Sequence, residues 1–197
     1  MDNAQPTNGH GAGKGFDAAR TAALVARIDR PVVLVGMMGV GKSTIGRKLA
    51  QVLGKGFADA DEEIVEAAHM PIADIFDQFG EAYFRDGERR VIARLLDQDQ
   101  CVIATGGGAF VQEDTRAMIL EKGIAIWLDS DVDTLVERVG RNNKRPLLRG
   151  GNVREIVSRM KAERESAYAL APIHVMTNKG PHSAAVERIM EGLDKWL

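Results

Sequence analysis

A single cysteine, Cys101, in a chain of 197 residues excludes an internal disulfide framework and a thiolate-built zinc site. It falls in the apolar run Cys101 to Ala104, the setting of a small buried strand residue. Long hydrophobic runs are missing as well. No apolar stretch approaches the roughly 20 residues that span a bilayer, so no membrane partner is expected and the chain reads as soluble and cytoplasmic. Charge of one sign is scarce: a net charge of −2 fits neither a general polyanion binder nor an acidic, disordered chain, so any cationic site must be local. Aromatic residues are only 5% of the chain and none interleaves with the basic stretch from Arg141 to Arg149, which argues against nucleic acid as a partner. His69 and His174 are isolated, without the neighbours a metal or acid–base role would need.

The length suits one domain with a substantial core, placed at residues 31–197. Residues 1–16 are poor in apolar residues and carry no signal-peptide core, and are expected to form a disordered tail. Residues 17–30 read as a helical extension, with Asp17 near its start and Leu24, Val25 and Ile28 toward the core.

What is present is a phosphate-binding signature. Gly36-Met37-Met38-Gly39-Val40-Gly41-Lys42-Ser43 fits G-x-x-x-x-G-K-[ST]. The apolar run Pro31-Val32-Val33-Leu34-Val35 precedes it, as a strand buried on both faces would, and Ile45, Leu49, Val52 and Leu53 follow at helical spacing, with Gly54 as a C-terminal stop. In that order the loop amides and the positive end of the helix dipole converge on phosphate oxygens. Lys42 adds a full charge there, and the Ser43 hydroxyl can ligate Mg²⁺. The upstream stretch Gly11-Ala12-Gly13-Lys14-Gly15 lacks both the hydroxyl residue and a preceding strand.

Further apolar runs, at 101–104, 124–128 and 173–176 with a weaker one at Phe57-Ala58, alternate with helix-period segments. They imply an α/β fold with a parallel sheet and helices on both faces. Asp59-Ala60-Asp61 follows the weak strand, where strand ends of such sheets face the ligand. Continued strand geometry would point both carboxylates to one side, while Asp61 is also suited to cap a helix beginning near Glu62. Thr105-Gly106-Gly107-Gly108 permits close backbone approach to a ligand, or a tight turn. Arg85 is placed to pair with Glu81 four residues earlier, and Arg164 lies in the charged helical segment 152–170. Residues 140–152, with glycines at the ends and four basic residues inside, suit either a solvated basic loop or a mobile lid that excludes water from phosphoryl transfer.

In combination these motifs resemble the shikimate kinase family: the phosphate loop through Thr44, Asp59-x-Asp61, Ile72-Ala-Asp-Ile-Phe76 leading to Gly80-Glu81 and Phe84-Arg85, then Gly106-Gly-Gly108 and Arg145-Pro-Leu-Leu148. The resemblance implies a P-loop NTPase three-layer sandwich, nucleoside-monophosphate-kinase-like, with a five-stranded parallel sheet in the order 2-3-1-4-5 and a mobile lid loop at 140–152. It implies ATP-dependent phosphorylation of the 3-hydroxyl of shikimate, with Mg²⁺ as cofactor, ATP and shikimate as partners, and a monomer. Gly39, Val40, Gly41, Lys42, Ser43 and Thr44 would hold ATP. Arg138 and Pro181 would flank the adenine, and Arg145 would reach the phosphates from the lid. Residues 59–98 would form the acceptor region, with Arg85 and Arg164 gripping the carboxylate, Asp61 accepting from ring hydroxyls, and the backbone of Gly106, Gly107 and Gly108 closing the pocket. Lys42, Asp59 and Arg145 would be catalytic, with Ser43 and, through water, Asp59 at the metal.

Two rivals remain at this level. A related small-molecule kinase, acting on gluconate for instance, shares the architecture. A nucleotide-dependent switch draws only on Asp77-Gln78-Phe79-Gly80, which sits inside a helical pattern, and on Asn178-Lys179, which no aspartate follows to read guanine.

Overall fold

A computed structural model describes residues 16–98, 101–140, 152–178 and 180–197. At its centre lies β1 (Val32–Val35), all four residues fully buried, because the strand is covered on both faces and hydrogen-bonded along both edges. Its neighbours are β3 (Cys101–Ala104) and β4 (Ile124–Asp129), with Val32 in register with Val102 on one side and Ile124 on the other. The edges are β2 (Gly56–Asp59) and β5 (Ile173–Met176). All pairings are parallel and the order is β2-β3-β1-β4-β5, as expected.

One helical layer is formed by α1 (Ala18–Arg27), α2 (Lys42–Leu53) and α8 (His182–Trp196). Across the sheet lie α4 (Ile72–Leu96) and α5 (Glu113–Lys122), with α6 (Val132–Gly140) and α7 (Val153–Tyr168) packed on each other. The α1 helix starts at an Asp17 cap, whose carboxylate accepts from the Arg20 amide at 2.8 Å, and it buries Leu24 against the main core. Of the expected tail at 1–16, residues 1–15 lie outside the described residues.

A second, smaller core carries the acceptor region. Ile64 of α3 (Ala60–Ala68) packs with Ile75 and Phe84 of α4. The α4 span is two helices joined at Gly80, where φ 79° and ψ 173° are not helical. The D-x-x-G fragment Asp77 to Gly80 accordingly belongs to a helix end and not to a strand end.

Candidate active site

The phosphate loop runs from the end of β1 into α2. Gly41, at φ 100°, is the N-terminal cap of α2, a conformation L side chains rarely adopt, and it aims the helix's first amides into the turn. Lys42 is buried, its ammonium donating to the carbonyls of Gly36 at 2.7 Å and Met37 at 3.0 Å. Gly39, Gly41, Lys42, Ser43 and Thr44 line a cleft of about 920 Å³. Val40 lies beneath it: its side chain is buried and its carbonyl accepts from Arg138 Nη1 at 3.2 Å and Thr177 Oγ1 at 3.3 Å. Arg138 also donates to the Thr177 carbonyl at 3.0 Å. It lines both the cleft and a small adjoining hollow that includes Pro181 and His182, so the expected adenine neighbours stand together beside the loop.

The opposite wall of the same cleft holds Asp59, Asp61, Arg85, Gly106, Gly107, Gly108 and Arg164. One expectation is corrected here: strand geometry ends at Asp59. That residue, and not Asp61, is the N-cap of α3, its Oδ1 accepting from the Asp61 amide at 3.0 Å. The chain turns into a helix before the alternation of side chains could act, yet both carboxylates still reach the cleft.

Arg85 forms the expected pair with Glu81 at 3.1 Å, but a tighter one, 2.6 Å, joins it to Glu88. Glu88 escaped the sequence reading. It is 1% exposed, and its Oε1 has no hydrogen-bond partner among the described residues. Burial raises its pKa above the usual carboxylate value while Arg85 opposes the rise; Asp61 and Glu81 add to it by repulsion. For Arg85, burial disfavours the charge, but Glu88 and Glu81 outweigh it and hold the guanidinium's pKa above its usual value. The available signal was the i,i+3 spacing of Arg85 and Glu88 on one helix face.

Gly106 and Gly108 lie directly against these charges. A Cβ on Gly106 would lie 2.6 Å from Glu88 Oε1 and 2.9 Å from Asp61 Oδ1, and one on Gly108 would lie 2.5 Å from Arg85 Nη2. The Gly107 carbonyl accepts from Arg164 Nη1 at 3.2 Å and from the Tyr168 hydroxyl. Burial pushes the Tyr168 phenol up to about 12, which keeps it a donor at neutral pH. Arg145 and residues 141–151 of the expected lid lie outside the described residues.

A phosphate loop opening into the same cleft as a pocket with two guanidinium groups and two aspartates is the layout of a small-molecule kinase: an ATP-dependent phosphotransferase on the P-loop fold. The family model described as shikimate kinase matches residues 38–194, and the chain belongs to the shikimate kinase family. A shikimate kinase of Novosphingobium aromaticivorans is 62% identical over 175 residues, 87% of this chain and 91% of that one. One from Zymomonas mobilis is 51% identical over 166 residues, 84% and 94% of the two chains. Among solved structures, shikimate kinase from Acinetobacter baumannii in complex with shikimate superposes with a TM-score of 0.81 at 33% identity, covering 87% of this chain and 95% of that one. A gluconokinase from Sinorhizobium meliloti, with a TM-score of 0.59 at 16% identity, shares the fold alone.

Proposed function

We propose that this protein transfers the γ-phosphoryl group of ATP to the 3-hydroxyl of shikimate. The hydroxyl oxygen bonds to phosphorus as the bond to the β-phosphate oxygen breaks, and the products are ADP, shikimate 3-phosphate and a proton. The observation that carries this reading is the position of Gly107. A Cβ there would lie 3.2 Å from the Met38 amide nitrogen of the phosphate loop and 3.7 Å from Arg164 Nη1, so the nucleotide and acceptor ends of the cleft meet at one residue.

Each end then has its task. The loop amides from Gly39 to Thr44 and the Lys42 ammonium bind and neutralise the phosphates, with Arg145 as a further cation on the grounds of its sequence motif. Arg85, braced by Glu88, and Arg164, braced on the Gly107 carbonyl, present guanidinium forks to a carboxylate. Asp61 accepts from ring hydroxyls, and Asp59 orients the attacking one. Positioning and charge neutralisation dominate phosphoryl transfer, so a strong base is not required.

The donor set also fits Mg²⁺. The Ser43 hydroxyl and the Asp59 carboxylate line one cleft and offer hard oxygens, and this ion usually takes only one or two protein ligands beside phosphate and water. Bound there, it would neutralise charge on the phosphate oxygens. The working unit is taken as a monomer on the family resemblance, and light scattering during gel filtration checks it.

An ADP-release assay with shikimate, gluconate or no acceptor tests the proposal. Turnover with shikimate and a product phosphorylated at the 3-position are expected. Turnover with gluconate and none with shikimate would overturn it.

A further inference from the structure

Outside the cleft, one buried charge cluster has no part in the roles above. Asp129, the last residue of β4, is 8% exposed and lines no wall of the cleft. Its Oδ1 accepts from the Lys161 ammonium of α7 and from the Ser130 amide at 2.7 Å, while its Oδ2 faces His174 Nε2 of β5 at 3.5 Å. Its main-chain carbonyl accepts from the Thr177 amide at 2.7 Å and hydroxyl at 3.0 Å, which locks the ends of β4 and β5 together. Asp129 is therefore a fixed point of the sheet. Among the described residues bonded to Asp129, Lys161 is the one from α7.

The consequence lies along α7. Lys161 stands one turn before Arg164 and two turns before Tyr168, on one stripe of the helix. Arg164 and Tyr168 both donate to the Gly107 carbonyl, while Lys161 reaches back to Asp129. The helix is thus tied at two separate points, the glycine turn after β3 and the end of β4, with Arg164 between the ion pair and the phenol. Trp127, two residues before Asp129, fills the space between the ties. Its ring stacks on His174 at 4.0 Å and lies 6.0 Å from the Tyr168 ring, with the Lys161 ammonium 6.0 Å away. Packing on α6 and the burial of Val157 and Met160 hold the body of α7, and the Lys161 tie adds a directional charge contact one turn from Arg164.

We propose that Lys161 and Asp129 are positioning residues for the acceptor site: their ion pair sets the placement of α7 and so presents Arg164 to the substrate carboxylate. The proposal rests on the reading of Arg164 as a carboxylate ligand. It goes beyond that reading in assigning a determinant of acceptor affinity to a pair that touches neither substrate. Neither side chain is within the set that lines the cleft. A guanidinium displaced by about 1 Å loses much of its hold on a bidentate partner, whereas the phosphate loop meets Asp129 through its main-chain carbonyl, by way of the Thr177 hydroxyl that also reaches the Val40 carbonyl, and not through the Lys161 pair.

The test is steady-state kinetics on wild type, K161M, K161R and D129N, with melting temperatures measured in parallel. K161M keeps the length and apolar stem of the side chain and removes the charge. Its KM for shikimate is expected to rise about tenfold, with kcat and the KM for ATP within about twofold of wild type. K161R, which retains the charge, should restore most of the shikimate affinity, and D129N should follow K161M. An unchanged shikimate KM in K161M overturns the proposal. So does a loss shared equally by both KM values and kcat with a lowered melting temperature, the pattern of a merely structural pair, and so does an R variant no better than M. A wild-type protein with no shikimate turnover instead removes the assignment of Arg164 and both proposals together.

Discussion

The roles of individual residues turn on charges whose surroundings the sequence only partly discloses. Asp59 is placed both to orient the acceptor hydroxyl and to cap α3, and the two tasks separate by substitution. Asparagine caps a helix about as well as aspartate, whereas alanine costs about 1 kcal/mol. D59N should therefore keep the wild-type melting temperature and shikimate affinity while kcat falls by about 100-fold or more, and D59A should lose stability in addition. Full turnover in D59N would remove Asp59 from the chemistry. His182, beside Gly41, offers a pH test: burial first, then Lys48 and Arg138, hold its pKa below the ordinary 6.5. A depressed folded-state value means that stability from the neutral ring is fully present above 6.5 and is lost as pH falls through that lower value. The imidazole resonance should titrate below 6.5, and H182N should flatten the melting temperature against pH in that window; a midpoint at or above 6.5 contradicts it. That Asp61, Arg85 and Arg164 would line one cleft was legible because motif and order marked them. Glu88 was not, since a carboxylate on a charged helix looks solvated until β3 and its glycine turn are laid across it.

At the level of elements, the three inner strands were readable as unbroken apolar runs because both of their faces are covered. The edge strand β2 was faint, with Gly56 exposed and only Ala58 and Asp59 buried. The start of α3 was misplaced for a local reason: no residue separates Asp59 at the end of β2 from the first turn of the helix. Gly80 punctuates α4 with φ 79° and ψ 173°, a region open essentially to glycine, and nothing lies within 4 Å of where a Cβ would stand. The cost of alanine there is thus backbone strain alone, about 1–3 kcal/mol. Gly87, seven residues on and inside the second helix, also has open space around it but no such backbone. Alanine there should stabilise by about 0.5–1 kcal/mol through helix propensity. Opposite shifts in the denaturation midpoints of G80A and G87A check the two-helix description, and a stabilising G80A would contradict it.

Across the whole molecule, the extension before the matched family region is built into the same core as the catalytic sheet. Leu24 is 1% exposed and Ile28 2%, and α1 rests on α2, the helix that begins at Lys42. Its amphipathic pattern was visible in the sequence, but the surface it meets was not, because α8 lies more than 150 positions away along the chain and nothing local encodes that contact. Two arginines, Arg20 and Arg27, converge on Asp194 of α8 at 2.8 and 2.7 Å. Their side chains are 42% and 43% exposed, and pairs so open to water contribute little to stability. The buried leucine is the stronger tie, since truncating such a side chain costs about 2–5 kcal/mol. L24A should therefore lower the denaturation midpoint substantially and D194A only slightly. Both should retain wild-type kcat and KM values well below their melting temperatures, because no residue of α1 lines the cleft. A kinetic defect in L24A without a loss of stability would show instead that the extension acts through α2 on the phosphate loop.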